Sequence, residues 1–201
     1  MLSKYMGVCL CMKSVSTQKK TSLGREDWLN TAIQTLFESG IGSISIVQLA
    51  ISLGVTRGSF YHHFIDREDL LRAMLKYWEK TFTIAIREEV RGLELPPAEL
   101  LRALALSIRE HNAVVYDAPF RAWALHDPLA RRTLERVDAI RLAYIKSLFE
   151  AAGFKGIDAE NRARLLLYYE MADPAFFAEQ NPETKAQLID ERLGLLLQQT
   201  D

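Results

Sequence analysis

Apolar residues recur along the chain at every third or fourth position, which is the spacing of amphipathic α-helices. The first apolar stripe spans residues 25–39 and ends at Gly40, a residue that commonly stops a helix. The sequence shows no strict apolar–polar alternation of the kind expected in a half-buried strand, and it contains no repeat or low-complexity segment. The pattern therefore predicts an all-α fold of about nine helices.

Residues 45–64 predict two short helices joined by a tight turn. Ser45 and Gln48 have the S-x-x-Q spacing of a capping box at the start of the first helix. Gly54 follows the last apolar residue of that helix, where a left-handed glycine costs least. Thr56 can cap the second helix immediately afterwards. The apolar positions of the pair are Ile46, Leu49, Ala50, Leu53, Phe60 and Phe64.

Longer helices are predicted after this pair. The next one begins at Asp66, which can cap it, and its apolar stripe continues to about Gly92. A helix of that length bridges the N-terminal part and everything after it. Further helices are predicted over 98–116, over 119–125 as a short helix or turn, over 127–152, from 158 and from 181. Pro174 predicts a kink or break near Asp173.

Two helices joined by a glycine-containing turn make a helix-turn-helix, whose second helix enters the major groove of DNA. Arg57 is a bidentate donor suited to guanine, and Ser59 is a small donor and acceptor. Gly58 leaves room for a close backbone approach. Donors to phosphate oxygens are Tyr61, His62 and His63. The alternative is an ordinary helical hairpin in which Gly54 is only a C-cap.

Several short motifs occur in register over residues 37–71. They are an LFxxG helix end at Leu36, Phe37 and Gly40, a Ser-Ile helix start at Ser45, an LA pair, a GV turn, the run G-[ST]-[FL]-Y-x-H-F from Gly58 to Phe64, and an acidic-basic-acidic-x-Leu run from Asp66. In these motifs the stretch resembles the N-terminal domain of the TetR family of transcriptional regulators. Ile65 departs from the family, which usually has a small, polar or basic residue there.

The resemblance implies a sequence-specific DNA-binding regulator, more often a repressor, that binds a palindromic operator as a homodimer and is released by a small-molecule effector. It implies a helix-turn-helix DNA-binding domain over 22–70, after a flexible arm at 1–21, and a ligand-binding and dimerisation domain over 71–201. Phosphate contacts are expected from Ser45, Tyr61, His63 and Arg67. Base contacts are expected from Thr56, Arg57, Ser59 and His62.

The C-terminal domain of such a regulator is expected to hold an effector pocket and a dimer interface. Amphipathic side chains that could anchor an effector are Trp78, His111, Asn112, Tyr116, Trp123, His126 and Tyr144. Apolar residues on the last two helices that could meet a second subunit are Leu165, Tyr168, Tyr169, Leu193 and Leu197. Each of these residues is also compatible with a place in the subunit core.

The composition is that of an ordinary globular protein, with 201 residues, 49% hydrophobic and 25% charged, and a net charge of −1. Up to Lys76 nine Lys/Arg face six Asp/Glu, whereas from Tyr77 onward sixteen face twenty. This asymmetry weakly favours DNA contact by the N-terminal part.

Cys9 and Cys11 are too close for an easy disulfide and indicate reduced thiols in the cytoplasm. The apolar run near the N-terminus is too short to span a membrane.

Enzymatic and metal-binding motifs are missing from the sequence. It contains no G-x-S-x-G, H-E-x-x-H or phosphate-binding loop. His62 and His63 are adjacent and so point about 100° apart on a helix, which prevents joint chelation. We therefore expect no catalytic residue, metal or cofactor. The alternatives are a DNA-binding protein without an effector or controlled by a protein partner, and a helical enzyme or carrier. A closed cavity would disfavour the first, and salt-dependent DNA binding would exclude the second.

Overall fold

The computed structural model describes residues 23–176 and 181–199, without the side chains of 173–176, 182 and 185. Within those residues the chain forms nine helices and no strand, which confirms the all-α prediction. They are α1 (Arg25–Ser39), α2 (Ile46–Leu53), α3 (Arg57–Phe60), α4 (residues 67–91), α5 (Pro97–Glu110), α6 (Ala113–Ala124), α7 (Pro128–Ala151), α8 (Gly156–Phe176) and α9 (Pro182–Leu196). The expected arm at 1–21, with both cysteines, lies outside the described residues.

The N-terminal unit consists of α1, α2 and α3 and closes on aromatic residues. The Ser45 hydroxyl accepts a hydrogen bond from the Gln48 amide at 3.1 Å, and Gly54 is left-handed at φ 67°, so both predicted ends of α2 are confirmed. Phe60 is fully buried and meets the ring of Trp28 edge-on at 5.2 Å. Burial of both rings fixes α3 against α1, because each contributes a large apolar area.

α4 is continuous from Arg67 to Arg91 but contains a π-helical turn at Lys80–Ile84. The Asp66 carboxylate caps its start by accepting from the Asp69 amide at 2.7 Å. The predicted long bridging helix is therefore confirmed, and the expected domain boundary after residue 70 falls within it. The π turn was not predicted.

The chain bends between α5 and α6 at a different place from the predicted one. The predicted helix over 98–116 instead ends at Glu110, and Asn112 takes a left-handed conformation at φ 49°. Asparagine tolerates this conformation better than most residues. α6 then continues through Pro119 to Ala124, and it buries Phe120 and Trp123. The predicted separate segment at 119–125 is therefore wrong.

Two of the three C-terminal helices begin at the predicted caps, whereas α8 begins at Gly156 and contains the predicted cap Asp158 in its first turn. Asp127 Oδ1 accepts from the amides of Leu129 and Ala130 at 2.8 and 2.9 Å, and the Asn181 side chain accepts from the Thr184 amide at 2.8 Å. α7 packs most extensively against α8 and α6. Of the kink or break predicted near Asp173, the break is wrong, because the α8 backbone remains helical to Phe176.

Candidate nucleic-acid interface and interior cavity

The surface that would face DNA, here called the recognition face, consists of Thr56, Arg57, Gly58, Ser59, Tyr61 and His62. All except the half-buried Ser59 are exposed. α3 itself has only four residues, so this face extends into the turn that follows it. Phe60 and Phe64 lie on the opposite side and are buried. In the sequence F-Y-H-H-F, the two phenylalanines are therefore buried, whereas the polar residues between them are not.

Arg57 and Tyr61 form a pair on the recognition face. Arg57 Nη2 donates to the Tyr61 hydroxyl oxygen at 3.1 Å, and the guanidinium carbon lies 5.9 Å from the ring centroid. This contact restricts two exposed side chains that would otherwise sample many rotamers. It leaves the remaining guanidinium donors of Arg57 free for a base edge.

Gly58 is not required by the fold. Its φ lies outside the left-handed region, and a Cβ added there would meet the Thr56 hydroxyl oxygen at 3.6 Å, an ordinary contact distance. Gly54, in contrast, has φ 67° and is needed for the turn. The fold alone therefore gives no reason for the missing side chain at position 58.

Arg67 has an internal role that sequence reasoning missed. Its Nε donates to the Ile44 carbonyl at 2.9 Å and its Nη2 to the Ile41 carbonyl at 3.4 Å. The side chain therefore ties the start of α4 to the segment between α1 and α2.

The His63 carbonyl accepts from Arg25 Nε at 3.3 Å. Ser45 uses its oxygen as the α2 cap, and its hydroxyl proton remains available to donate.

The basic character of the N-terminal part does not come from the helix-turn-helix. Four of its nine cationic residues are lysines within the first 22 residues. From Leu23 to Lys76 five Lys/Arg face six Asp/Glu. Attraction of DNA to the described part of this domain would thus depend on the placement of single donors, not on an excess of positive charge.

A cavity of about 50 Å³ lies beside the π turn of α4. The π turn and its continuation provide Phe82, Thr83, Ile86 and Arg87, and α5 to α8 provide the other walls. The lining is almost entirely apolar. The sequence predicted a pocket among these helices, but the side chains that form it come from five helices and could not be selected from one-dimensional spacing.

A buried ionic network closes one side of this cavity. Asp117 accepts from Trp78 Nε1 at 2.7 Å and binds the Arg141 guanidinium through both carboxylate oxygens. Arg141 also donates to the Thr83 hydroxyl at 2.9 Å and the Phe82 carbonyl at 3.2 Å. Arg121 joins Asp117 to Asp138. The network connects the π turn to α6 and α7.

The expected effector anchors occupy several environments. Tyr144 lines the cavity, and Trp78 reaches its wall through Asp117. Tyr116 stacks on Phe82 at 4.6 Å and meets Phe37 of α1 edge-on at 5.0 Å. The remaining four lie away from the lining, with Trp123 buried, His111 against Glu89, and Asn112 and His126 exposed.

Sequence reasoning missed Asp117 and Arg141. The segment Ala113–Ala124 carries one acidic residue among apolar ones, with Arg121 four residues later. That isolated carboxylate on an apolar helix was the available signal, since buried charges are almost always paired.

The predicted dimer residues divide between surface and core. Leu165 and Tyr168 of α8 are 61% and 55% exposed, on one helix face. Leu193 is buried inside the subunit. Tyr169 is half-buried under the Arg192 guanidinium at 3.7 Å, and Leu197 is half-buried. Leu195, 68% exposed, lies on α9 and was not predicted.

Two features are absent from the described part of the chain. No group of three or more His, Cys, Asp or Glu side chains is placed to hold a metal ion. Within the same residues, no helix has the length and apolar character needed to cross a membrane.

Comparison with known families identifies the N-terminal domain. Residues 29–74 match the family model described as bacterial regulatory proteins, tetR family. The match covers α1 to the first turns of α4. The N-terminal domain is thus a tetR-family domain. The resemblance stated from the motifs is thereby confirmed.

Named relatives are regulators. The chain is 30% identical over 127 residues to the HTH-type transcriptional regulator BetI of Cronobacter sakazakii, a match covering 59% of this chain and 61% of the relative. It is 28% identical over 105 residues to the probable HTH-type transcriptional regulator ArpR of Pseudomonas putida, covering 52% and 49%. The match thus spans about half to three-fifths of these relatives. As the sequence predicted, they are regulators and not enzymes.

Solved structures share the fold over most of the chain. A transcriptional regulator from Rhodococcus sp. Rha1 superposes with a TM-score of 0.69 at 22% identity, covering 87% of this chain and 96% of the other. AibR, solved in complex with isovaleryl coenzyme A and operator DNA, superposes with a TM-score of 0.64 at 18% identity, covering 86% and 97%. These likenesses show that the fold is shared over most of the chain.

Proposed function

We propose that this tetR-family protein is a sequence-specific, DNA-binding regulator of transcription in the cytoplasm. It acts as a homodimeric repressor on a palindromic operator and is released by a small-molecule effector. The observation that carries the proposal is the recognition face, where exposed hydrogen-bond donors stand on a short helix held from behind by Phe60. A helix presented in this way can enter the major groove.

The proposed contacts follow from the exposed atoms. Arg57, Thr56, Ser59 and His62 read base edges, because they lie on α3 and its flanking turns. Tyr61, His63, Ser45 and Arg67 contact phosphates. Gly58 allows the backbone to approach the DNA.

The proposed dimer face consists of Leu165 and Tyr168 on α8 and Leu195 on α9, with Tyr169 and Leu197 at its edge. Three large apolar side chains more than half exposed on the last two helices support an interface. Two copies related by a twofold axis would place two recognition helices one DNA turn apart, which matches a palindrome.

Effector release is proposed to act through α4. The cavity lies at its π turn, and the stacked rings of Phe82 and Tyr116 continue to Phe37 in α1. A ligand that binds better when these rings are displaced would lower operator affinity by linkage.

Fluorescence anisotropy tests the DNA-binding part of this proposal. The full chain is titrated against DNA from upstream of its own gene and against a scrambled duplex, across a salt series. We expect tighter binding to the upstream DNA and a steep loss of affinity with salt. Equal, weak binding to both would argue for a structural hairpin or for an operator elsewhere in the genome. No binding at low salt would refute the proposal.

A further inference from the structure

The charged groups around the cavity are already paired. Asp117 binds Arg141, and Glu170 binds Arg192 at 2.6 Å and Arg109 at 3.3 Å. Arg87 Nε and Nη2 both donate to Glu88 Oε1, at 3.0 and 2.8 Å. An ion entering the cavity would lose its water without gaining an unpaired opposite charge, which is unfavourable.

The rest of the lining is hydrocarbon. Ile86, Leu104, Ile140, Ile145 and Leu167 present branched apolar side chains from four helices, and Met171 adds a flexible one. A cavity of this kind favours apolar molecules and is poorly suited to hold water, which needs several polar partners.

The Tyr144 hydroxyl is a polar group of the cavity lining that remains unsatisfied. Its oxygen is buried and has no hydrogen-bond partner among the described residues. Burial raises the pKa of Tyr144, so the phenol is neutral at physiological pH and can donate. A buried donor without an acceptor is costly, and a ligand oxygen would remove that cost.

We propose that this cavity binds a small, uncharged, mainly apolar molecule whose oxygen accepts a hydrogen bond from Tyr144. The inference rests on the proposed function only in identifying that molecule as the effector. The cavity volume of about 50 Å³ favours a small ligand in this conformation.

Methyl NMR of the full chain tests the site directly, without DNA. The probes are 2-butanone, propionate and isobutylammonium, which match in number of non-hydrogen atoms and differ in charge. We expect 2-butanone to shift the methyl signals of Ile86, Ile140 and Met171 in a saturable manner. Its affinity will be low, because so small a ligand makes few contacts. Each ionic probe should bind at least about tenfold more weakly.

Three variants locate the binding. Tyr144→Phe removes only the unsatisfied hydroxyl, so the thermal midpoint should not fall, while 2-butanone should bind about fivefold more weakly. Val114→Phe fills the lining and should abolish the shifts. Val115→Phe places the same ring on the neighbouring exposed position and should leave them unchanged.

The outcomes separate this inference from the regulatory function. Ionic probes that bind as tightly as 2-butanone, shifts unaffected by Tyr144→Phe, or no shift with 2-butanone would each overturn the inference. If 2-butanone binds as expected but leaves operator affinity unchanged, the cavity assignment stands and its effector role fails. If the chain does not bind DNA at all, the NMR result still decides the cavity assignment.

Discussion

At the scale of single residues, the recognition face combines groups that the fold needs with groups that it does not. Phe60 is buried and Gly54 is left-handed, so both are fixed by folding. Arg57, Tyr61 and Gly58 are exposed, and no contact within the subunit requires Gly58. Residues of the second kind can be changed without unfolding the protein, which makes them suitable for testing DNA contacts.

Gly58→Ala should leave stability unchanged or raise it by up to about 1 kcal/mol, because alanine favours the helix. Operator affinity should nevertheless fall, since the added methyl occupies space proposed for DNA. Gly42→Ala is the matched control, because a Cβ there meets nothing within 4 Å and the residue lies off the recognition face. Anisotropy and thermal melts measure the two effects. Unchanged operator affinity in Gly58→Ala would contradict the close approach.

Arg57→Ala should cost about 1–3 kcal/mol of operator binding and relax base preference, because a base-reading donor is lost. Tyr61→Phe should weaken operator and scrambled DNA alike, because a phosphate contact carries no sequence information. The Arg57–Tyr61 hydrogen bond couples the two side chains, so the double variant should be less than additive. Equal weakening of both duplexes by Arg57→Ala would refute its base-reading role.

At the scale of elements, the π turn of α4 is the centre of the C-terminal part. It places Phe82 and Thr83 in the cavity wall, and Arg141 of α7 binds both of them as well as Asp117 of α6. A turn held by a buried ionic network keeps one geometry until the network or its packing changes. This arrangement suits a site whose occupancy is to be sensed along a helix.

Asp117→Asn should destabilise the chain by about 3 kcal/mol, because it leaves Arg141 buried without its counter-charge. Arg136→Ala breaks the exposed pair with Glu79 and should cost under about 1 kcal/mol. Both bridges join helices of the C-terminal part, so the contrast isolates burial. Urea unfolding gives the two free energies, and equal losses would show that the Asp117 network does not stabilise the π turn.

The Glu79–Arg136 pair also sets the sign of a small pH effect. The hydrogen bond from Arg136 lowers the pKa of Glu79. The stabilisation is therefore present above the ordinary carboxyl pKa and is lost as pH falls through the lowered value. The effect is small because Arg136 is exposed.

At the scale of the whole molecule, α8 and α9 expose large apolar side chains that the subunit itself does not cover. Leu165, Tyr168 and Leu195 are each more than half exposed there, although the same helices bury Leu166, Leu167 and Leu193. Helices that are apolar on both sides are usually covered on both sides. A second copy covers them in the proposed dimer.

Leu165→Glu should convert the dimer to a monomer, because it places a charge in an apolar interface. Operator affinity should fall with it, since one short recognition helix reads few base pairs. Leu125→Glu is the control, as Leu125 is 67% exposed but lies at the end of α6. Light scattering gives the mass of each variant. A Leu165→Glu protein that stays dimeric would move the interface elsewhere.

The sequence by itself determined the local structure of the N-terminal domain. Ser45, Gly54 and Asp66 fix helix ends through interactions within a few residues, so spacing alone located α2 and the start of α4. The positions of Phe60 and Phe64 also predicted which side of α3 is buried, because residues four positions apart lie on the same face of a helix.

Only the tertiary structure decided the cavity and the use of its residues. Asp117 and Arg141 are 24 positions apart, and their pairing depends on how α6 meets α7. Leu193 and Leu195 have the same chemistry, yet packing against the rest of the subunit buries one and exposes the other. One-dimensional periodicity predicts that a helix has an apolar face, but the crossing of several helices determines what that face covers.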